Sequence, residues 1–398
     1  MKKTLRKAAG RILRKAGLDT GTGTRDLAIK RGGKTTGDGP VFEASDGRRY
    51  TISTKQRYGL KPTWQVISGL SLLQELKGRG LLDEAGEALL VRLRGEYTIT
   101  APIEEINAAV APYVERHRDI IIGGGISNIG KRVLKPLREE VEAKITSSTA
   151  SHRRRLEEFA AIGRPVDPAA SSVLEIGFIS GGESIVAFDR MGFRASGLDY
   201  FYDGAFDTVS RFQEVREMTQ TGARFAFGDL TKRTEFEEGE FDVIYSAQVL
   251  EHIVDLGAAF REMYRLLKPG GVMFHNWDPY FHPLGGHSFG TLDFAWGHLR
   301  LSEADFDRYL AELHPHEAEH AAPWVRGSLN RCNSQQVIQR LLVEAGFAVR
   351  RWRTLPIPSR AGIVLDSEVV RDCLEKNPHV ALDDLTTQAV HLIAEKPA

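Results

Sequence analysis

Beyond about residue 170 the apolar residues gather into short runs separated by stretches of helical repeat. The runs Ser172–Ile176, Arg194–Leu198, Arg224–Phe227, Phe241–Tyr245, Gly271–Asn276, Phe347–Thr354 and Gln388–Ala394 read as strands. Between them, Gly182–Met191, Asp207–Met218, Leu256–Leu267 and Ser334–Ala345 carry apolar residues at helical spacing. Strands alternating with helices predict an α/β domain with a doubly wound parallel sheet over residues 166–398. Two stretches break the rhythm: 277–331, rich in aromatic residues and histidine, and the shorter 361–386. Connections this long in a compact domain form lids or binding loops.

The earlier part has a different texture. Residues 41–165 read as an N-terminal accessory domain, helical or α+β. Val41-Phe42-Glu43 and Arg49-Tyr50-Thr51-Ile52 flank Ser45-Asp46-Gly47 as a hairpin. Helical periodicity marks Pro62–Leu76, Ile103–His117 and about Ile129–Ile145, with Ile120–Gly125 a turn before the last. Residues 1–40 form a basic tail and a Gly- and Thr-rich linker. Within the tail, residues 2–16 set Leu5, Ala9, Ile12 and Ala16 at helical spacing among seven lysines and arginines. A basic amphipathic helix of this kind makes weak contact with an anionic membrane surface, and a solvated terminus is the bland alternative.

Length, composition and charge then narrow the classes. A chain of 398 residues accommodates two or three domains. Its formal net charge is zero, which disfavours a polyanion partner such as nucleic acid. The two cysteines, Cys332 and Cys373, have no metal-type spacing and read as free thiols of a cytoplasmic protein. No apolar run reaches the roughly 18 residues of a membrane span.

The chemistry concentrates in Val173-Leu174-Glu175-Ile176-Gly177-Phe178-Ile179-Ser180-Gly181-Gly182. An apolar run ends in an acid, a glycine and then a glycine pair, the pattern by which a buried strand turns into a helix around a nucleoside. The middle glycine of Gly-x-Gly-x-x-Gly is replaced by Ile179. In dinucleotide enzymes that glycine lets a pyrophosphate approach the backbone, so a β-branched residue there predicts a nucleoside cofactor without phosphates. Asp199 ends the next strand, where an acid accepts hydrogen bonds from ribose hydroxyls. Phe227-Gly228-Asp229-Leu230 places another acid to meet an adenine amino group. Ser246-Ala247-Gln248-Val249-Leu250-Glu251-His252 follows the fourth strand, and Leu267-Lys268-Pro269-Gly270-Gly271 turns into the fifth.

These five motifs, in this order, resemble the class I S-adenosylmethionine-dependent methyltransferases. The likeness covers about residues 170–276 and resumes at Val343-Glu344-Ala345-Gly346-Phe347 and the closing strand. It implies a Rossmann-like seven-stranded methyltransferase sheet with its last strand antiparallel, and S-adenosyl-L-methionine as cofactor. It further implies that Glu175, Gly177 and Gly181 shape the methionine pocket. Asp199 would hold the ribose, and Gly228, Asp229 and Leu230 the adenine. Ser246 and Gln248, just past the fourth strand, would face the reactive methyl. The stretch from Trp277 to Leu299 is similar to a bacterial subgroup associated with surface-polysaccharide or small-molecule modification.

Each residue also has a plainer reading. Acids at strand ends are turn formers and N-caps. His252 opens a helix, and His275 sits inside a strand. His287 follows Gly285-Gly286, which would let the backbone approach a ligand, so His287 and His252 are the candidate bases. His314, His316 and His320 flank a proline and read as a solvated loop, and no metal site is expected. Asp278 has a minor reading as a cation ligand in metal-dependent relatives. Ser151–Arg155 reads as a solvated helix start.

The expected reaction is O-methylation of a small molecule or glycan, such as a surface-polysaccharide precursor. One competing reading is methylation of protein or nucleic acid. Amino-methylating enzymes commonly place Asn/Asp-Pro-Pro-Tyr/Phe after the fourth strand, where this chain has Ser246-Ala247-Gln248-Val249. Another is an NAD-dependent oxidoreductase, against which Ile179 speaks, and the last is a non-catalytic relative.

Overall fold

The structure is a computed structural model. It describes residues 41–52, 80–95, 109–113, 116–117, 138–178, 182–200, 215–283, 285–286, 290–313, 315–357 and 365–398, with Leu73, Leu76 and Lys77. The predicted basic helix at 2–16, the linker, most of the helices predicted at 62–76 and 103–117, and the glycines at 123–125 lie outside the described residues.

Strands β1 (Val41–Glu43) and β2 (Arg49–Thr51) form the predicted antiparallel hairpin. Strands β3 (Ser172–Ile176), β4 (Arg194–Asp199), β5 (Arg224–Phe227), β6 (Phe241–Ala247), β7 (Leu267–Trp277), β8 (Ala348–Pro356) and β9 (Thr387–Glu395) form one sheet in the order β5-β4-β3-β6-β7-β9-β8. The first five lie parallel, and β9 runs antiparallel between β7 and β8. All seven predicted strands are present, and the last is the antiparallel one. In a parallel sheet wound in both directions from β3, strand ends meet where the winding reverses, and ligands bind at that carboxyl edge.

Among the described residues the longer helices are α1 (Glu84–Gly95), α2 (Arg138–Ala161), α3 (Glu183–Arg190), α4 (Leu256–Leu266), α5 (Glu303–Leu313), α6 (Pro315–Ser328), α7 (Gln335–Glu344) and α8 (Ser367–Lys376). Alternation along the strands gives the sheet two apolar faces. On one, Leu174, Ile244, Met273 and Leu392 pack with Phe260 and Met263 of α4 and Leu342 of α7. On the other, Val173, Val243, Phe274 and Ile393 pack with Phe188 of α3 and Phe159 of α2. Each such side chain contributes about 1.5–3 kcal/mol by leaving water, so helices on both faces follow from strands apolar on both.

Helix α2 departs from expectation. The periodicity predicts a helix over about Ile129–Ile145, and Ser151–Arg155 reads as a separate, solvated helix start. The observed helix continues from Arg138 to Ala161. Thr146 and Thr149 return their hydroxyls to the carbonyls of Glu142 and Ile145 at 2.8 Å, which lets hydroxyl residues sit inside a helix. A buried stripe of Val141, Ile145, His152 and Phe159 holds this helix to the domain.

The hairpin finds its partners far along the chain. Phe42 and Tyr50 pack with Phe294, Trp296, Tyr309 and Leu310 from the first long insertion and with Val369 and Leu385 from the second. Tyr50 stacks on Phe294 with centroids 4.7 Å apart. Ser45 donates its amide and hydroxyl to the Asp305 carboxylate at 2.9 and 2.8 Å. The insertions and the hairpin thus share a third apolar core, a cap attached to the end of β7. Among the described residues no helix is long and apolar enough to cross a membrane.

Candidate active site

At the carboxyl edge, β3 gives way to Gly177, whose φ of 78° lies in the left-handed region. Its amide donates to the Leu198 carbonyl at 2.8 Å. A Cβ at this position would stand 2.4 Å from Val249 Cγ2. The turn therefore requires glycine twice over, for its dihedral and for the close approach of the loop after β6. Ile179, Ser180 and Gly181 lie outside the described residues, so the Ile179 argument stays on the sequence.

Glu175, on β3, is buried, and its Oε2 has no hydrogen-bond partner. Burial pushes its carboxyl up to about 8; Ser184's hydrogen bond works the other way, and Asp199 and Glu183 add like-charge repulsion. Asp199 ends β4 and accepts from the Tyr200 amide through Oδ1 at 2.7 Å. Its Oδ2 is buried without a partner, and burial raises this carboxyl to about 6. A buried acid and a half-buried one on neighbouring strands thus each keep one buried oxygen without a donor. Such oxygens cost stability until something donates to them. They suit the ammonium and the ribose hydroxyls of an amino-acid nucleoside.

Asp229 behaves differently. Its Oδ1 accepts from the amide and hydroxyl of Thr231 at 3.0 and 2.6 Å, and Lys232 lies 3.1 Å from Oδ2. Burial works against the charge, but these donors hold the carboxyl below its ordinary value. The acid forms its own turn, and Gly228 ties that turn to the Asp199 carbonyl at 2.9 Å. Leu230 is buried in the sheet's core beside Phe236.

Ser246 corrects an expectation. It lies inside β6, not past it, because the strand runs on to Ala247. It is fully buried, with its hydroxyl 2.6 Å from His275 Nδ1 on β7. Burial lowers the His275 pKa to about 3, so the ring is neutral. Gln248 is the residue just beyond the strand. It takes a left-handed φ of 59°, donates its amide N–H to the Asn276 carbonyl at 2.8 Å, and donates Nε2–H to Asp278 Oδ1 at 3.3 Å.

Two acids at this end carry more than the sequence reading gave them. Neither carboxyl oxygen of buried Glu251 meets a side-chain donor; burial raises its pKa well above the usual range, against the pull of the backbone amides of Glu251 and Asp278. Asp278, one residue past β7, is also buried and raised to about 6, with Gln248 opposing the shift. The signal was available: Asp278 follows its parallel strand much as Asp199 closes its own.

His252 is exposed, and its Nδ1–H donates to the Ser328 carbonyl at 2.8 Å, which leaves Nε2 as the basic nitrogen. His287 lies outside the described residues. The glycines before it correct a second expectation. A Cβ on Gly285 would stand 2.0 Å from the Tyr280 carbonyl oxygen, and one on Gly286 would stand 2.3 Å from the Gly290 backbone. The close approach they permit is to the loop's own backbone rather than to a ligand. His298 is a core residue of the cap, donating Nε2–H to the Tyr280 carbonyl at 2.9 Å. Among the described residues no cluster of three or more His, Cys, Asp or Glu is arranged for a metal.

Residues 174–275 match the family described as a methyltransferase domain. A 2-methyl-6-phytyl-1,4-hydroquinone methyltransferase from Synechocystis is 30% identical over 111 residues, covering 27% of this chain and 31% of that protein. A ubiquinone/menaquinone biosynthesis C-methyltransferase from Vibrio vulnificus is 31% identical over 121 residues, covering 28% of this chain and 39% of its own. The chain thus spans between about a third and two fifths of these relatives' lengths. A solved S-adenosylmethionine dependent methyltransferase from Mesorhizobium loti aligns at 17% identity over 60% of this chain and 97% of its own, with a TM-score of 0.37.

Proposed function

We propose that this chain is a class I S-adenosylmethionine-dependent methyltransferase and that it methylates a hydroxyl of a small molecule or glycan, such as a surface-polysaccharide precursor. The observation that carries the cofactor half is the pair of buried oxygens, Glu175 Oε2 and Asp199 Oδ2, left without donors at one sheet edge. Asp199 would accept from both ribose hydroxyls and Glu175 from the ammonium of the methionine moiety. Gly177, with Gly181, would keep the turn clear of side chains. Gly228, Asp229 and Leu230 form the turn that would flank the adenine.

When bound, S-adenosylmethionine supplies a methyl group already activated by its sulfonium. The protein's task is then to align an acceptor and exclude water, and positioning carries much of the rate. Gln248, set by its strained backbone and its bond to Asp278, marks the acceptor side together with Glu251. An acceptor hydroxyl must lose its proton. His252, with Nδ1–H held by Ser328, offers Nε2 as the base, and His287 is the second candidate. A positioned base is worth roughly 10²–10⁴ in rate.

A second reading is C-methylation of a hydroquinone-type ring, favoured by the two relatives named for such reactions. Zero net charge and the lack of proline at Ser246–Val249 favour a small acceptor over nucleic acid. Residues 2–16 would add a weak contact with the inner membrane surface of a cytoplasmic enzyme. The test is methyl transfer from labelled S-adenosylmethionine to a panel of hydroquinones, phenols and nucleotide sugars, with fragmentation locating the new methyl. Label on carbon would replace the O-methylation reading, and no transfer to any of the three classes would remove the small-acceptor proposal.

A further inference from the structure

Helix α2 precedes the sheet in sequence, yet its side chains reach the cofactor half of the site. Lys144 Nζ lies 3.2 Å from Glu183 Oε1. His152, about two turns further on, is 1% exposed. Its ring stacks on Phe188 with centroids 3.6 Å apart and planes 10° from parallel, and meets Tyr245 edge-on at 5.1 Å. Nε2 is 3.1 Å from both the backbone carbonyl oxygen and the hydroxyl of Ser184. A carbonyl oxygen only accepts, so Nε2 carries the hydrogen and Nδ1 is the bare nitrogen. Burial lowers the pKa to about 4, so the ring keeps that single hydrogen at neutral pH.

The Ser184 hydroxyl accepts from this N–H and must turn its own hydrogen elsewhere. Its partner is the Glu175 carboxyl. Donors therefore run in one direction, from His152 to Ser184 to Glu175, starting on a helix outside the glycine turn. A hydroxyl rotor is free to choose among its neighbours unless a donor occupies its lone pair. His152 is that donor, and a carboxylate that receives a fixed O–H is favoured in its charged form.

We infer that His152 is a positioning residue for cofactor binding: by fixing the Ser184 hydroxyl on the Glu175 carboxyl it favours the anion that forms when the amino group of the methionine moiety arrives. This rests on the cofactor reading above. It predicts a contribution confined to the amino-acid end of the ligand. The adenosine end meets Asp199 and the turn at Asp229, neither of which touches this chain of donors.

The test is calorimetric binding to the full chain of two ligands that share the thioether nucleoside, S-adenosylhomocysteine and 5′-methylthioadenosine, the second lacking the amino acid. His152→Phe keeps a ring on Phe188 and removes the donor. It is expected to weaken S-adenosylhomocysteine roughly tenfold, the scale of one hydrogen bond to a charged group, while methylthioadenosine changes less than about twofold. Ser184→Ala should do the same, and the double variant should be no weaker than either single one. His152→Gln, whose amide restores a donor, should recover part of the loss. Equal losses for both ligands would reduce His152 to a packing residue and overturn the inference, as would unchanged S-adenosylhomocysteine affinity in both variants. Should His152→Phe fail to fold, Ser184→Ala decides alone. Failure of the wild-type chain to bind either ligand would overturn the cofactor reading itself, a result separate from the others.

Discussion

Replacing Glu175 by glutamine tests the electrostatics of the site without an acceptor. The carboxyl is buried and raised from 4.5 to about 8, chiefly by desolvation. A carboxyl whose pKa is higher folded than unfolded takes up a proton on folding. Its full contribution is present below the unfolded pKa and is lost as pH rises through the folded one, so the ligand-free protein weakens between pH 4.5 and 8. At pH 7 the loss amounts to about 3 kcal/mol at one pKa unit per 1.4 kcal/mol. Glutamine cannot ionise, so Glu175→Gln should melt several degrees above wild type at pH 7, with the gap closing toward pH 5. Cofactor binding should reverse the proton balance. At pH 7 about nine tenths of Glu175 is protonated in the free protein, and an incoming ammonium favours the anion. Binding of S-adenosylhomocysteine should therefore release close to one proton, read as a difference in calorimetric enthalpy between phosphate and Tris buffers. Glu175→Gln should abolish that difference and bind more weakly. Equal proton release in the two proteins would place the ionising group elsewhere and refute the assignment.

Three further outcomes follow from the same geometry. Gly177→Ala meets both a φ of 78° and a contact 2.4 Å from Val249; thermal melting should show a loss of about 1–3 kcal/mol, and adding Val249→Ala should restore only part of it. Asp199→Asn replaces one acceptor oxygen by a donor, and titration should show a ten- to hundredfold weaker hold on both S-adenosylhomocysteine and methylthioadenosine, roughly 1.4–3 kcal/mol; an unchanged affinity would remove Asp199 from the ribose site. Cys373 is buried and its thiol is pushed up to about 12, mainly by desolvation, whereas Cys332 is exposed; an aromatic disulfide reagent should label Cys332 alone in the native protein and both thiols in guanidinium.

The sheet was legible because each strand is a short apolar run closed by a turn residue, and because five motifs recur in the order the topology needs. The turn at Gly177 and the buried oxygens of Glu175 and Asp199 fall, for the same reason, where the apolar runs end. What hid was long-range. Nothing local in Thr146–Ser151 tells that a helix runs through it, since its stability comes from Val141, Ile145, His152 and Phe159 meeting the sheet's helices. His152 reads as part of a basic run, and only folding sets its ring against Ser184. Ser246 was placed one residue too far out because β6 continues past Tyr245. The glycine pair before His287 reads as room for a ligand, and only the positions of Tyr280 and Gly290 show that the loop's own backbone fills it.

The hairpin at residues 41–51 leaves the ribosome among the first described segments, yet its aromatic partners lie at Phe294, Tyr309 and Leu385. During synthesis Phe42 and Tyr50 must wait, unpaired, for most of the chain to appear. The cap therefore closes late, after strands β3 to β8 have been made, with only β9 still to come. A chain stalled or cut before residue 385 would hold strands β3 to β8 under an unfinished roof, with the place of β9 between β7 and β8 still unfilled. Its waiting aromatics make this end the place where chaperones or aggregation act first.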